Sequence, residues 1–261
     1  MNIGPFLFPP LVFATLVGVL VLMIITAILT RRVHPQFDQW LWIILVCMGL
    51  SARFGFVMRH WESFSQEPWR IFYIWQGGFE PIWGLVAGVI SLVFLSTWRR
   101  RILGLGTYGI ALSAALTALA FTPQTPTKPL PELSLMRLSG ETVRLSDYAN
   151  EKVVLNIWAS WCGPCRREMP MLEQAEANYP GVHFLFINQG EQVTTVETYL
   201  RQESLNMDQS VLLDPRYAVA KEFDTLGTPT TLFFNKNRLV ATHLGELSGE
   251  RLKDYLRLMQ P

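Results

Sequence analysis

The sequence predicts a multi-pass α-helical membrane domain followed by an α/β domain with a central mixed sheet flanked by helices. Three observations carry this: four apolar stretches of membrane length within the first 121 residues, a proline-rich break after them, and alternation of strand and helix patterns in the remainder. Composition changes at the same place. Residues 1–121 hold eight arginines, no lysine and four acids, a net of +4, whereas residues 122–261 hold 14 Lys+Arg and 17 Asp+Glu, a net of −3. No polybasic face of the kind nucleic acid requires is present, so nucleic acid is not expected as a partner. The division expected is a four-span membrane domain over 1–121, a linker over 122–131 and an α/β domain over 132–261.

The four apolar runs are 11–29, 39–58 (interrupted only by Arg53), 81–98 and 102–121. Each is long enough to cross a hydrocarbon core of ~30 Å as a helix. Buried helices of a large soluble protein would be the alternative, but four such runs in succession joined by short polar links argue against it. Met1-Asn2 supplies no positive charge before the first run and no small-residue cleavage site follows it, so an uncleaved span is expected. Arg31-Arg32 follow the first run and Arg99-Arg100-Arg101 the third, and cytoplasmic loops carry the Lys/Arg excess. Both termini are therefore expected outside the cytoplasm. Seven of the nine tryptophans lie in this half, with Trp40, Trp42, Trp61, Trp69 and Trp98 near span ends, where amphipathic rings favour the interface or else pack in the core.

Residues 122–131, TPQTPTKPLP, contain four prolines and cannot continue a helix. Beyond them, LSLMRLSGETVRLSDY reads as two short strands around Ser139-Gly140. Strands are then expected at 153–159, 182–188, 210–213, 230–235 and 239–244, and helices at 162–178, 193–203, 218–223 and 249–259. The strand at 153–159 is apolar on both faces, as a central strand covered on two sides should be.

Cys162-Gly163-Pro164-Cys165 stands where that strand hands over to a helix. The free N–H groups and dipole of a helix start favour negative charge, so Cys162 should be held partly as thiolate, the form that attacks disulfides. Cys165 lies one turn deeper and can resolve a mixed disulfide by attacking the Cys162 sulfur; Pro164 is tolerated in a first turn. A zinc site would need four ligands, and the only other cysteine, Cys47, lies in an apolar run, so no metal is expected. The redox pair itself then serves as the working group, with no separate cofactor.

WCGPC after an apolar strand, with Gly227-Thr228-Pro229 some sixty residues on, resembles the thioredoxin fold. The leading hairpin, the wording WASWCGPCRREMP and the membrane tether narrow the resemblance to the TlpA/ResA group of extracytoplasmic thiol:disulfide oxidoreductases, over about residues 131–261. It implies protein thiol and disulfide substrates, a membrane electron donor of thiol-relay type, and a bacterial inner-membrane location with the thioredoxin-like domain on the periplasmic side. It also implies that Pro229 follows a cis bond and packs against the dithiol, and that the Thr228 backbone pairs with substrate. Asn156 occupies the place of the buried aspartate that ordinary thioredoxins use to take a proton from the inner cysteine. Glu168, three residues after Cys165 and on its helical face, matches an acid that ResA-like members use near the dithiol, or else is a solvated glutamate pairing with Arg166 or Arg167. Trp161 is expected to shield the dithiol and Trp158 to lie in the core, and Pro170 should kink its helix. Gly-Pro between the cysteines resembles reducing thioredoxins, so reduction is the expected direction.

Residues 49–85 carry a second resemblance, to prolipoprotein diacylglyceryl transferase: an opening IGP, a GxRxGFV-like run, a P…IFxIWxGG stretch and a following GL…G, over roughly residues 3–98. The transferase carries a histidine and paired glycines a few residues after its WxGG. Here Ile82-Trp83-Gly84 stand there, and His60 is the nearest histidine. The catalytic group that would activate a lipoprotein thiol is therefore absent, which argues against lipid transfer, the alternative activity; a lipid-binding scaffold is the non-enzymatic one. Arg53, inside a span, could belong to a site for an anionic phospholipid headgroup completed by Gly77, Gly78 and Glu80, or could snorkel to the outer surface; the two glycines could equally form a turn.

Overall fold

The structure is a computed structural model that describes residues 10–122, 128–225 and 227–259. The IGP opening and residues 123–127 of the proline-rich stretch lie outside the described residues. The chain divides into two compact units near residue 125, and each is taken by itself.

The first unit runs α1 (Pro10–Arg32), α2 (Gln36–Arg59), α3 (Trp61–Gln66), two single 3₁₀ turns, α4 (Pro81–Ile90) with a 3₁₀ extension over Ser91–Phe94, and α5 (Trp98–Phe121). α1, α2 and α5 are long and apolar enough to cross a membrane. The expected third span over 81–98 is corrected: its helical part is the shorter piece Pro81–Phe94. The reason is local. Ser91 Oγ donates to the Gly88 carbonyl at 2.6 Å, Leu95 is extended, and the Thr97 hydroxyl caps α5 by accepting from the Arg100 N–H. Arg101 then supplies donors to the carbonyls that this break leaves open, Leu95 at 2.9 Å and Val93 at 3.3 Å.

Small residues let the helices approach. A Cβ on Gly18 of α1 would lie 3.0 Å from the Ala115 Cβ of α5, a contact that only glycine leaves comfortable. Phe37, Trp40 and Ile44 of α2 are fully buried with Leu22, Leu95 and Tyr108, while the outward residues Leu16, Leu20, Ile24 and Ile28 are exposed and apolar. A surface of that kind is stable against lipid and not against water.

The second unit is one seven-stranded mixed sheet in the order β2-β1-β5-β4-β3-β6-β7. The hairpin is β1 (Ser134–Arg137) and β2 (Thr142–Arg144), and the sheet continues through β3 (Lys152–Trp158), β4 (His183–Gln189), β5 (Val211–Asp214), β6 (Thr230–Asn235) and β7 (Arg238–Leu244). β3, β4 and β5 are parallel and the other pairs antiparallel. Helices α6 (Gly163–Asn178), α7 (Val193–Gln202), α8 (Ala218–Glu222) and α9 (Gly249–Leu258) cover it. α6 runs through Pro170 without a break in its helical assignment.

Because side chains alternate along a strand, β3 feeds two cores. Val153, Leu155 and Ile157 join Leu185, Ile187, Leu232 and Phe234 on one face; Val154 and Trp158 join Met169, Leu172, Phe186 and Phe233 on the other. Asn156 therefore points to the face that α6 covers. Leu155→Ala, at a site with no exposure, should lower the unfolding free energy of this unit by about 2–5 kcal/mol in urea titration.

Candidate active site

β3 ends at Trp158, and after Ala159-Ser160-Trp161 the chain reaches Cys162, which is the N-cap of α6. The Cys162 sulfur accepts the backbone N–H of Cys165 at 3.2 Å, one of the donors a helix start leaves open, and Gly163 and Pro164 form the exposed first turn. Cys162 and Cys165 are joined by a disulfide. Both are buried, within the cluster that holds Trp158, Ala159 and Met169. Trp161, in the turn that precedes Cys162, is 69% exposed.

The loop into the dithiol is fixed by a residue that the sequence did not single out. The Glu191 carboxylate, just past β4, accepts the Ser160 N–H at 2.7 Å, the Ser160 hydroxyl at 2.5 Å and the Asn188 amide at 2.7 Å. Its partner lies 31 residues away, so no local pattern could reveal it.

On the buried face of α6, three residues after Cys165, Glu168 is 2% exposed. Oε1 accepts the Asn156 amide at 2.8 Å and Oε2 the Leu247 backbone N–H at 2.7 Å, and Asn156 Nδ2 also donates to Thr231 Oγ1 at 3.0 Å. The solvated alternative for Glu168 is thereby corrected. Arg166 pairs with Glu203 and Arg167 with Glu246, because Cys165, Glu168, Met169 and Leu172 share the buried face of α6. Burial pushes the Glu168 carboxyl up to about 8, against the pull of the Leu247 N–H and the Asn156 amide; the Glu246 charge raises it further and Arg167 lowers it. The loop that supplies Leu247 is held by Arg167–Glu246 and by His243, whose Nε2–H donates to the Glu246 carbonyl at 3.2 Å. Burial lowers the pKa of His243.

Thr228–Pro229 is a cis peptide, as the resemblance implied. Pro229 is buried and Thr228 half-buried, and the Pro229 carbonyl accepts the Gly245 N–H at 2.9 Å. The pairing of Ile157 with Thr230 sets the start of β6 at the same sheet end as the exit of β3 toward Cys162.

In the first unit, Arg53 is 8% exposed and donates to the carbonyls of Gly77 and Gly78, so it meets both glycines but does not snorkel to the surface. Glu80 pairs with Arg59 at 2.6 Å.

A family profile described as the AhpC/TSA family matches residues 126–243, and one described as prolipoprotein diacylglyceryl transferase matches residues 3–123. The thiol-disulfide oxidoreductase ResA of Geobacillus thermodenitrificans is 31% identical over 157 residues, which cover 58% of this chain and 89% of that protein. The chain belongs to the ResA family of thiol-disulfide oxidoreductases. The ResA of Geobacillus kaustophilus is 32% identical over 134 residues, covering 50% of this chain and 76% of the relative. A solved structure of a putative thiol:disulfide interchange protein DsbE from Chlorobium tepidum covers 51% of this chain and 97% of that one at 26% identity, with a TM-score of 0.47. This ResA-family chain is a thioredoxin-fold thiol-disulfide oxidoreductase with a cysteine pair, joined to a transferase-like helical region.

Glu168 makes the second unit sensitive to pH in a defined sense. A carboxyl raised to about 8 when folded keeps its proton where the unfolded chain, at its ordinary 4.5, has lost it. Stability should therefore be greatest below about pH 4.5 as far as this group is concerned and fall toward pH 8, by at most about 1.4 kcal/mol per pH unit. Urea titrations of the unit from residue 128 onward at pH 5 and pH 8 should show this fall, and Glu168→Gln should remove it.

Proposed function

We propose that the chain is a membrane-anchored extracytoplasmic thiol:disulfide oxidoreductase that reduces protein disulfides. The observation that carries this is the place of Cys162: N-cap of α6, its sulfur accepting a helix-start N–H, with Cys165 bonded to it one turn on. In the reduced enzyme the Cys162 thiolate attacks a substrate disulfide, forming a mixed disulfide and expelling one substrate thiolate. Cys165 then attacks the Cys162 sulfur, expels the second substrate thiolate and closes the Cys162–Cys165 disulfide, so the substrate gains two electrons that the dithiol loses. Trp161, Gly163, Pro164, Glu168, Thr228 and Pro229 support that site, Thr228 by offering its backbone to an extended substrate segment.

The helical region over 1–121 serves as anchor and 122–131 as tether to the domain over 132–261. The arginines at the end of α1 and the start of α5 favour a cytoplasmic side for both of those helix ends, which supports a thioredoxin-like domain on the periplasmic face of a bacterial inner membrane. Regeneration needs a thiol-relay donor in the same membrane. The match over 3–123 favours one second reading, lipid transfer or lipid binding through Arg53, Gly77, Gly78 and Glu80. The spent hydrogen bonds of Arg53 count against it.

Cys165→Ser should accumulate mixed disulfides through Cys162 on non-reducing gels, while Cys162→Ser should show none and lose exchange activity. Equal accumulation in the two variants would contradict the assignment. Alkaline phosphatase fused after residue 125 should be active and fusions at residues 33 and 100 inactive; the reverse pattern would put the dithiol in the wrong compartment.

A further inference from the structure

α2 and the short helix α4 are in register at both ends. Where α2 begins, Gln36 Nε2 donates to the Phe94 carbonyl at 3.0 Å and Trp40 Nε1 to Ser91 Oγ at 3.1 Å. At the other end, the Glu80 N–H, one residue before α4, donates to the Ala52 carbonyl at 2.9 Å. α4 and its extension thus accompany α2 only from Gln36 to Ala52. The stretch from Arg53 to Arg59 continues beyond, about 10 Å at 1.5 Å per residue. The chain leaves α2 at Arg59 and has to come back down that distance before α4 can start.

Segment 68–80 makes the descent with irregular backbone: 3₁₀ turns over Pro68–Phe72 and Ile74–Gln76, then Gly77 and Gly78 at φ +74° and +83°. Such backbone is tolerated at membrane depth only if its polar groups find partners inside the protein. Arg53 provides them. Its Nε donates to Ile71 O at 3.0 Å, Nη1 to Gly77 O at 2.8 Å and Gly78 O at 3.1 Å, and Nη2 to Arg70 O at 3.0 Å. The guanidinium also lies 5.7 Å from the Phe56 ring centre and 5.5 Å from that of Phe64. A fork of donors in a plane can serve several carbonyls at once, which an ammonium could not do.

While its backbone turns inward, the segment's large side chains turn outward. Phe72, Ile74, Trp75 and Phe79 are exposed, and the apolar surface continues onto Ile82, Val86 and Val89 of α4. Charges at its two ends are paired, Glu67 with Arg70 and Arg59 with Glu80.

We propose that segment 68–80 is a re-entrant loop immersed in the leaflet that α2 leaves through Arg59, with Phe72, Ile74, Trp75 and Phe79 against lipid acyl chains and Arg53 as the buried strut for its carbonyls. The proposal rests on the first unit being embedded in a membrane and goes beyond it. It accounts for two observations together: α4 is short because the loop covers the rest of the crossing, and an arginine stands inside α2 because the loop needs donors there.

The test uses the full chain carrying Cys47→Ser, Cys162→Ser and Cys165→Ser, in phosphatidylethanolamine/phosphatidylglycerol vesicles. Nitroxide labels go on Phe72→Cys and Trp75→Cys, with Leu20→Cys of α1 as lipid reference and Thr142→Cys of β2 as water reference. Relaxation by oxygen and by a water-soluble nickel chelate gives depth. Labels at 72 and 75 are expected to favour oxygen over nickel as the label at 20 does. Nickel access like that at 142 would make the segment an aqueous loop, and shielding from both reagents would mean that protein, a partner or a second copy, covers it; either result overturns the proposal. Nickel access at 20 as well would remove the membrane reading itself. Arg53→Gln should shift both loop labels toward nickel access, and an unchanged depth in a variant with normal helix content would remove the strut.

Discussion

β3 has hydrogen-bonded neighbours on both edges and helices over both faces, so its direction, its pleat and its end point are all fixed, and the dithiol inherits that fixity. Direction delivers the chain to the start of α6, where Cys162 meets an open N–H. Pleat sends Asn156 to the α6 side with Val154 and Trp158, where it meets Glu168. The end point sets Ser160 within reach of Glu191, just past the neighbouring strand β4. A strand paired on one edge could slip or twist and move all three at once. The chemistry is carried by sulfur, but its precision of placement comes from a sheet.

The buried acid on the Cys165 face of α6 differs in kind from a buried aspartate on β3. Here the strand contributes an amide and the helix contributes the acid, so the ionisable group moves with α6 and with Cys165. A carboxyl raised to about 8 is mostly protonated at neutral pH and can act as donor or acceptor. Asn156 Nδ2 donates both to the Glu168 carboxyl and to Thr231 Oγ1. An aspartate in the same place would be a second ionisable group in the core and could donate only when protonated.

How much of this was legible follows the range of the interactions. The hairpin, the parallel strands and CGPC at a helix start are local patterns, and all were readable from neighbours in sequence. Glu168 was half readable: three residues after Cys165 put it on the right face, but its depth is decided by the Leu247 N–H, 79 residues on, which no periodicity reports. Glu191 and the Arg167–Glu246 pair are of the same long-range kind. In the first unit, hydropathy counted an apolar run without seeing Ser91 and Thr97 interrupt it, since both residues are tolerated in a span and act only through hydrogen bonds to backbone. Arg53 was visible as an anomaly, but either explanation for it needed the guanidinium to reach water or lipid, and the structure spends it on carbonyls of the chain.

The two halves solve one problem, a polar group out of water, by opposite means, and the difference bears on what each can do. In the second unit an ionisable group is buried and tuned beside a reactive bond. In the first, the buried arginine is held by backbone carbonyls and aromatic faces. The thiol count points the same way. The chain has three cysteines, and Cys47 in α2 is the one outside the pair. Carrying two electrons across a membrane by thiol exchange takes a dithiol that can close on itself, and a single thiol can form a mixed disulfide but has no second sulfur with which to resolve it. Cys47 is half-buried in an apolar helix, where a free cysteine packs as a small apolar side chain. Within the proposed reductive function, a helical half with one thiol cannot complete that cycle, and the electrons for the Cys162–Cys165 pair would come from a dithiol on another protein.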